Sequence, residues 1–219
     1  MSSFPLFPEA ASSVARDVDF LYFFILAVSA FFAVLVSGLV VYFAVKYRRR
    51  HPDEVGADIH GSIALELLWT VIPFILAMVM FVWGAKVYFD IARPPADSME
   101  VFVVGKQWMW KVQHPSGHRE INELTLQEGV AVRITGTSED VIHDFGIPAF
   151  RSKFDVVPGR YTSAWYLPIK VGNYHLFCDQ YCGQGHSQMV GKVHVLSSIL
   201  MCNSASKGSA WETTPTTNL

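Results

Sequence analysis

The sequence predicts a two-helix transmembrane hairpin followed by an all-β domain, on three observations. Two long apolar runs occupy the chain up to Phe89, a basic cluster lies between them, and the remainder breaks into short β-type runs separated by turn residues. Composition agrees. Of the residues, 51% are hydrophobic and 16% charged, against roughly 25% charged in soluble proteins. The apolar excess sits in the first part of the chain, so membrane spans precede a soluble domain. The net charge of −2 and the lack of a basic stripe exclude a nucleic-acid partner and leave membrane lipid as the first one.

The first run extends from Phe20 to Val45 without a charged residue, and the second from about Ile63 to Phe89, with only Glu66 and Lys86 charged. Each exceeds the ~20 residues that a helix needs to cross a bilayer. Either is too long for a signal-peptide core. Between them lies Lys46-Tyr47-Arg48-Arg49-Arg50. Lys and Arg beside a span mark the cytoplasmic side, so the amino-terminal segment and everything after about Asp90 are expected outside. The predicted organisation is an outer segment at 1–19, a hairpin at 20–92 with spans at about 20–45 and 63–89, a β domain at 93–197 and a tail at 198–219.

The β domain begins after the stiff exit Arg93-Pro94-Pro95. Val101–Val104, Ala131–Thr135, Tyr174–Cys178 and Val190–Val195 are rich in β-branched and aromatic residues. His114-Pro115-Ser116-Gly117, Glu128-Gly129, Pro158-Gly159 and Val171-Gly172-Asn173 supply turns between them. Many short strands with frequent turns predict a sandwich or Greek-key barrel.

Chemistry concentrates in Cys178-Asp179-Gln180-Tyr181-Cys182-Gly183-Gln184-Gly185-His186-Ser187-Gln188-Met189. Thiolate and thioether are soft ligands, and imidazole suits copper. A mononuclear blue-copper site needs one cysteine; two cysteines allow a second copper, with both sulfurs bridging. A further nitrogen ligand is then required, and His143, in a loop after a strand, is the best candidate. Other readings of the same residues stand beside this one. The spacing fits a stripe on one helical face, which Gly183 and Gly185 disfavour. Cys178 and Cys182 fit a disulfide in an oxidising compartment. Zinc suits two cysteines and two histidines but leaves Met189 without a role. His175 and His194 read as ordinary sheet residues, and Cys202 has no assigned part.

With these residues in view, the chain resembles subunit II of the cytochrome c oxidases, in the haem-copper oxidase family. The resemblance rests on Glu66-Leu67-Leu68-Trp69-Thr70-Val71-Ile72-Pro73 at the second span and on Gly105-Lys106-Gln107-Trp108-Met109-Trp110. It rests further on Ser138–His143 with Phe154–Arg160, and on the cysteine loop. It implies a cupredoxin-like Greek-key barrel holding two copper ions as a CuA centre. Cys178 and Cys182 would bridge the coppers, His143 and His186 would each cap one, and Met189 and the main-chain carbonyl of Gln180 would be the weak outer ligands. Electrons would come from cytochrome c, or from a cytochrome-containing donor complex. They would pass to haem in oxidase subunit I, where oxygen is reduced to water with proton translocation. The other oxidase subunits are further expected partners. The expected location is the cell inner membrane, with the β domain on the periplasmic side.

The resemblance also assigns roles beyond the copper ligands. Trp108 would receive electrons, Glu66 would mark the entrance of a proton path, and Asp155 would lie where cytochrome c docks. Gln180 departs from the family, many of whose members carry Glu there to bind magnesium. An amide offers oxygen without charge, which weakens the case for magnesium at this position. Between Asp97 and Ser197 there are ten acids and nine bases, so a one-signed docking face is not expected. A local acidic patch from Glu139, Asp140, Asp144 and Asp179 remains open. Two other functions compete. A membrane-anchored copper chaperone would show one span and a thioredoxin-like pattern. The CuA-type subunit of a nitric oxide reductase would share the same motifs.

Overall fold

A computed structural model describes residues 7–198. Cys202 and the expected tail from 199 onward lie outside the described residues. The chain forms two compact units, one from residues 17–88 and one that joins the preceding segment to residues 89–198.

The first unit holds α1 (Ala15–Lys46) and α2 (Ile63–Ala92), which continues a few residues into the second unit. At 1.5 Å per residue, helices of 32 and 30 residues extend about 48 and 45 Å, beyond the ~30 Å hydrocarbon core. Each therefore has length to cross with its ends in the headgroup layers. Their apolar side chains are largely exposed, among them Val34, Val41, Phe74, Phe81 and Val82. A water-soluble surface seldom carries such a band, whereas lipid requires it. Pro73 lies inside α2, a position that transmembrane helices tolerate.

The second unit contains ten strands: β1 (Met99–Lys106), β2 (Met109–Gln113), β3 (Arg119–Ile121), β4 (Glu123–Gln127), β5 (Val132–Ser138), β6 (His143–Ile147), β7 (Ser152–Val156), β8 (Thr162–Tyr166), β9 (Gly172–Cys178) and β10 (Val190–Leu196). They form two five-stranded sheets, in the orders β3-β2-β1-β5-β8 and β4-β10-β9-β6-β7. β1 runs parallel to β5 and β4 parallel to β10, while the other pairs are antiparallel. The expected fold class, two helices followed by a cupredoxin-like β domain, is the one observed. The parallel pairs arise because long connections return each strand beside a non-consecutive neighbour, as Greek-key wiring demands.

The core lies between the sheets. β1 alternates about its centre, with Val101, Val103 and Gly105 inward and Phe102 outward, as a period-two strand with one buried face must. Val101, Trp110, Leu124, Leu126, Ile134, Phe145, Phe150 and Val193 are fully enclosed. Trp110 stacks edge-on against Phe145, with ring centroids 5.0 Å apart.

The segment before α1 is built into this unit. The Ala11 N–H donates to the Ala149 carbonyl at 2.8 Å, and the Ile169 N–H to the Ala11 carbonyl at 2.9 Å. Ser12 Oγ donates to the Phe150 carbonyl at 2.9 Å. Ala11, Ser12 and Ala15 are completely buried. The chain thus leaves the β domain into α1 and returns to it from α2.

Candidate metal centre

The site forms where the end of β9, the start of β6 and the loop 179–189 meet. β6 and β9 are hydrogen-bonded neighbours, with Phe145 opposite Cys178. His143 is not in a loop, as the sequence suggested. It is the first residue of β6, and the connection after β5 is only the short turn 139–142. That strand position fixes its backbone and leaves its ring fully buried. Gly105 on β1 makes room for it: a Cβ there would lie 2.8 Å from His143 Cδ2.

Cys178 Sγ and Cys182 Sγ lie 3.7 Å apart, well beyond the ~2.05 Å of a disulfide. Both are free. His143 Nδ1 faces Cys178 Sγ at 3.8 Å, and His186 Nδ1 faces Cys182 Sγ at 3.5 Å. Met189 Sδ lies 3.8 Å from Cys182 Sγ, and the Gln180 carbonyl 3.2 Å from Cys178 Sγ. His186 sits in a short 3₁₀ turn, His186–Gln188, so the loop is not one regular helix. The result is two sulfurs side by side, each flanked by one imidazole nitrogen and one weaker donor. Ligand atoms of His143, Cys178 and Cys182 lie within 4.8 Å of one another.

Burial pushes both thiols up. At Cys178 the His143 imidazole and nearby backbone groups outweigh burial and hold the thiol down at about 7. At Cys182 the adjacent Cys178 adds to burial, and the thiol rises to about 12. Two buried negative sulfurs at this distance repel each other, and cations between them relieve that repulsion. The donor set is soft and nitrogenous, and no hard carboxylate ligand is in it, which suits copper.

Asp140, which the sequence offered only as part of an acidic patch, has an internal task. Its Oδ1 lies 2.8 Å from His143 Nε2 and accepts the Val141 N–H at 2.7 Å; its Oδ2 accepts the Gln107 N–H at 2.8 Å. Burial pushes its carboxyl up, but the Gln107 N–H, the His143 ring and the Val141 N–H together hold it down at about 2. The signal in the sequence is an acid three residues before a candidate ligand histidine, which this turn converts into a ring brace. Gln107, read in the sequence only as part of the motif around Trp108, also has a task here: its Nε2 donates to the Cys182 carbonyl at 2.8 Å.

Trp108 lies in the turn between β1 and β2. Its Nε1 donates to the Cys182 carbonyl at 3.3 Å, and 39% of the residue is exposed. It therefore reaches from solvent to the backbone of a candidate ligand. Gly185 lies under the indole; a Cβ there would be 2.4 Å from Trp108 Cδ2.

Asp155 is exposed on β7, in register with Asp144 on β6. Lys153 Nζ binds Asp144 Oδ2 at 2.6 Å. Burial, together with Asp155 and Asp179, pushes the Asp144 carboxyl up despite that lysine. Glu139 pairs with Lys111 at 2.6 Å and Lys106 at 3.2 Å. Glu66 stands in the first turn of α2, in the other unit. His194 Nδ1 meets Asn173 Oδ1 at 2.7 Å and His175 stacks on Phe177, both within the sheet.

Two family matches cover most of the chain. Residues 116–196 match cytochrome C oxidase subunit II, periplasmic domain, and residues 2–87 match cytochrome C oxidase subunit II, transmembrane domain. The chain belongs to the cytochrome c oxidase subunit II family. It is thus a subunit of a haem-copper oxidase, an oxidoreductase complex. Two helices anchor it in a membrane, and its β domain is of the periplasmic type. A probable cytochrome c oxidase subunit 2 from Rickettsia bellii is 28% identical, over 87% of this chain and 79% of that protein. The haem-copper oxidase subunit 2 of Aeropyrum pernix is also 28% identical, over 86% of this chain and 88% of that one. Among solved structures, the periplasmic domain of cytochrome oxidase subunit II from Bradyrhizobium japonicum is 25% identical. It aligns with 52% of this chain and 96% of its own, at a TM-score of 0.49.

Proposed function

We propose that this chain is the electron-accepting subunit of a respiratory cytochrome c oxidase, and that its β domain carries a dinuclear CuA centre. The observation that carries this reading is the paired arrangement of donors: two buried sulfurs 3.7 Å apart, each with its own histidine Nδ1. A zinc site would gather four donors about one point and leave Met189 aside. Here each sulfur has a separate nitrogen, and Met189 Sδ sits beside Cys182.

Cys178, Cys182, His143 and His186 would hold the two coppers, with Met189 and the Gln180 carbonyl as weaker donors. A copper pair held there would supply one-electron acceptance and release. The protein's part is to keep the donors still. β6 and β9 hold His143 and Cys178 by ladder hydrogen bonds, and Asp140 fixes the His143 ring. Trp108 links the solvent face to the Cys182 carbonyl and is the electron-input residue. Cytochrome c, or a cytochrome-containing complex, is the donor, with Asp155 at its docking face. Subunit I receives the electrons at its haem and reduces oxygen, coupled to proton translocation through a path that begins near Glu66.

We assign residues 20–92 to the membrane hairpin, 93–197 to the copper domain, 1–19 to an outer segment and 198–219 to a tail. The membrane is the cell inner membrane. Gln180 lacks the charge that favours a hard cation, so magnesium is held weakly here or not at all.

Copper loading of the full chain in detergent tests the central claim. Two coppers per chain are expected, with an electron paramagnetic resonance signal from one unpaired electron shared by both nuclei. A single copper with a mononuclear signal would overturn it.

A further inference from the structure

We propose that His114, His118 and Glu120 form a second metal site, for a borderline divalent transition-metal ion such as Zn²⁺, on the hairpin formed by β2 and β3. The two histidines bracket a tight turn. The His114 N–H donates to the His118 carbonyl at 2.9 Å, and the Gly117 N–H to the His114 carbonyl at 2.9 Å. Gly117 has φ +86°, a conformation glycine adopts without steric cost. This closure sets the imidazoles on one side of the hairpin, with ring centroids 5.9 Å apart.

Glu120 points between them and gives one oxygen to each. Its Oε2 lies 2.9 Å from His114 Nε2, and its Oε1 3.8 Å from His118 Nε2. Ligand atoms bonded at about 2.0–2.1 Å to one ion stand roughly 3 Å apart, so the first pair already has ligand spacing. The second closes only by rotation of the His118 ring, whose side chain is 41% exposed. The other two side chains are nearly enclosed, at 11% for His114 and 8% for Glu120.

The carboxylate is also held in place from behind. Thr125 Oγ1 donates to Glu120 Oε1 at 2.6 Å, and the Thr125 N–H to Oε2 at 3.0 Å. Such outer hydrogen bonds orient a ligating carboxylate. Two imidazoles and one carboxylate, open on the solvent side, form a donor set for zinc and its neighbours rather than for magnesium or calcium. A bound ion would join His114 to His118 across the turn and stiffen the sheet edge. None of these residues belongs to the copper loop, so the site is independent of the CuA assignment.

The test is calorimetric titration of Zn²⁺ into the full-length chain, copper-saturated and in detergent. One further zinc per chain is expected, with a coordination shell of nitrogen and oxygen only by zinc X-ray absorption. His118→Ala should weaken that binding at least tenfold while leaving the copper spectrum and the circular dichroism unchanged. Because His114→Ala also removes a buried contact, Glu120→Gln serves as the second variant; it should weaken zinc without removing an imidazole. A Cys178→Ser/Cys182→Ser chain should still take up one zinc at this site, which separates it from failure of the copper reading. No zinc bound beyond the copper, equal affinity in His118→Ala, or sulfur in the zinc shell would overturn the proposal.

Discussion

At the residue scale, the contact between Trp108 and Gly185 is the most exacting feature of the candidate centre. A methyl at position 185 would overlap the indole, with Cβ 2.4 Å from Cδ2, and the ring would have to leave the Cys182 carbonyl. Gly185→Ala is therefore expected to slow electron input from the donor well below the parent rate. The two-copper spectrum should survive, because no donor atom is removed; stopped-flow reduction alongside electron paramagnetic resonance checks both halves. Asp140 makes a second case. Asp140→Ala leaves His143 Nε2 and the Gln107 and Val141 N–H groups without their acceptor. Losing hydrogen bonds to a charged group costs about 1.5–3 kcal/mol. The variant should unfold at lower denaturant by roughly that amount and hold copper less tightly; unchanged denaturation and copper affinity would show that the brace is dispensable. The residues that the structure brings together at the candidate centre were legible in sequence, because soft side chains crowded into a glycine-bearing loop stand out. The brace was not, since an aspartate three residues before a histidine acquires meaning only when a turn folds it back onto the ring.

At the scale of elements, the two helices were legible almost to their ends, for lipid demands an uninterrupted apolar run and so writes itself into the sequence. The strands were less so. Val101–Val104 and Tyr174–Cys178 could be read because their apolar residues face the core in β1 and β9. β3 has only three residues and an exposed Ile121, so it has no periodic signature to read; β7 does alternate, with Lys153 and Asp155 outward and Phe154 and Val156 inward, but its five residues are too short a run to stand out. The strap before α1 was hidden for a different reason. Residues 9–13 bind the β domain largely through backbone groups, which any residue supplies, with Ser12 Oγ and Glu9 adding side-chain contacts to Phe150 and Lys170, and only the small size of Ala11 and Ser12 hints at close packing. Ala11 is completely buried against the core. Ala11→Leu would need space that is not there, and overpacking typically costs about 1–3 kcal/mol. The β domain should melt at lower temperature in this variant. Ala11→Gly, which adds no volume, should be milder. Equal melting of Ala11→Leu and the parent, followed by the near-ultraviolet circular dichroism of the β-domain aromatics, would mean the strap is only loosely applied.

For the whole molecule, the question is how a nearly neutral outer domain recruits its donor. Acids around the copper loop suggested a patch for a basic cytochrome, but the structure neutralises much of it. Glu139 is shared between Lys106 and Lys111, Asp144 is tied to Lys153, and Asp140 is turned inward onto His143 and Gln107. What stays exposed beside the centre is apolar at Trp108, Val141, Ile142 and Tyr181 and mostly uncharged polar at Gln180, Gln184, Ser187 and Gln188. Electrostatic steering needs a one-signed face, and it weakens as salt shortens the screening length from roughly 30 Å at 0.01 M to 8 Å at 0.15 M. A face whose charges are mostly paired, with Asp155 and Asp179 as the exposed exceptions, has little steering to lose. Electron transfer from a soluble basic cytochrome c is therefore expected to depend only weakly on ionic strength across that range. Replacing both lysines, as Lys106→Gln with Lys111→Gln, would release Glu139 and leave the face net acidic. That double variant should react faster than the parent at low salt and converge on it at high salt, while the copper spectrum stays the same. A parent rate that already falls steeply with salt would show that unpaired acids such as Asp155 and Asp179 dominate the field, and that the lysine pairs do not set the docking mode.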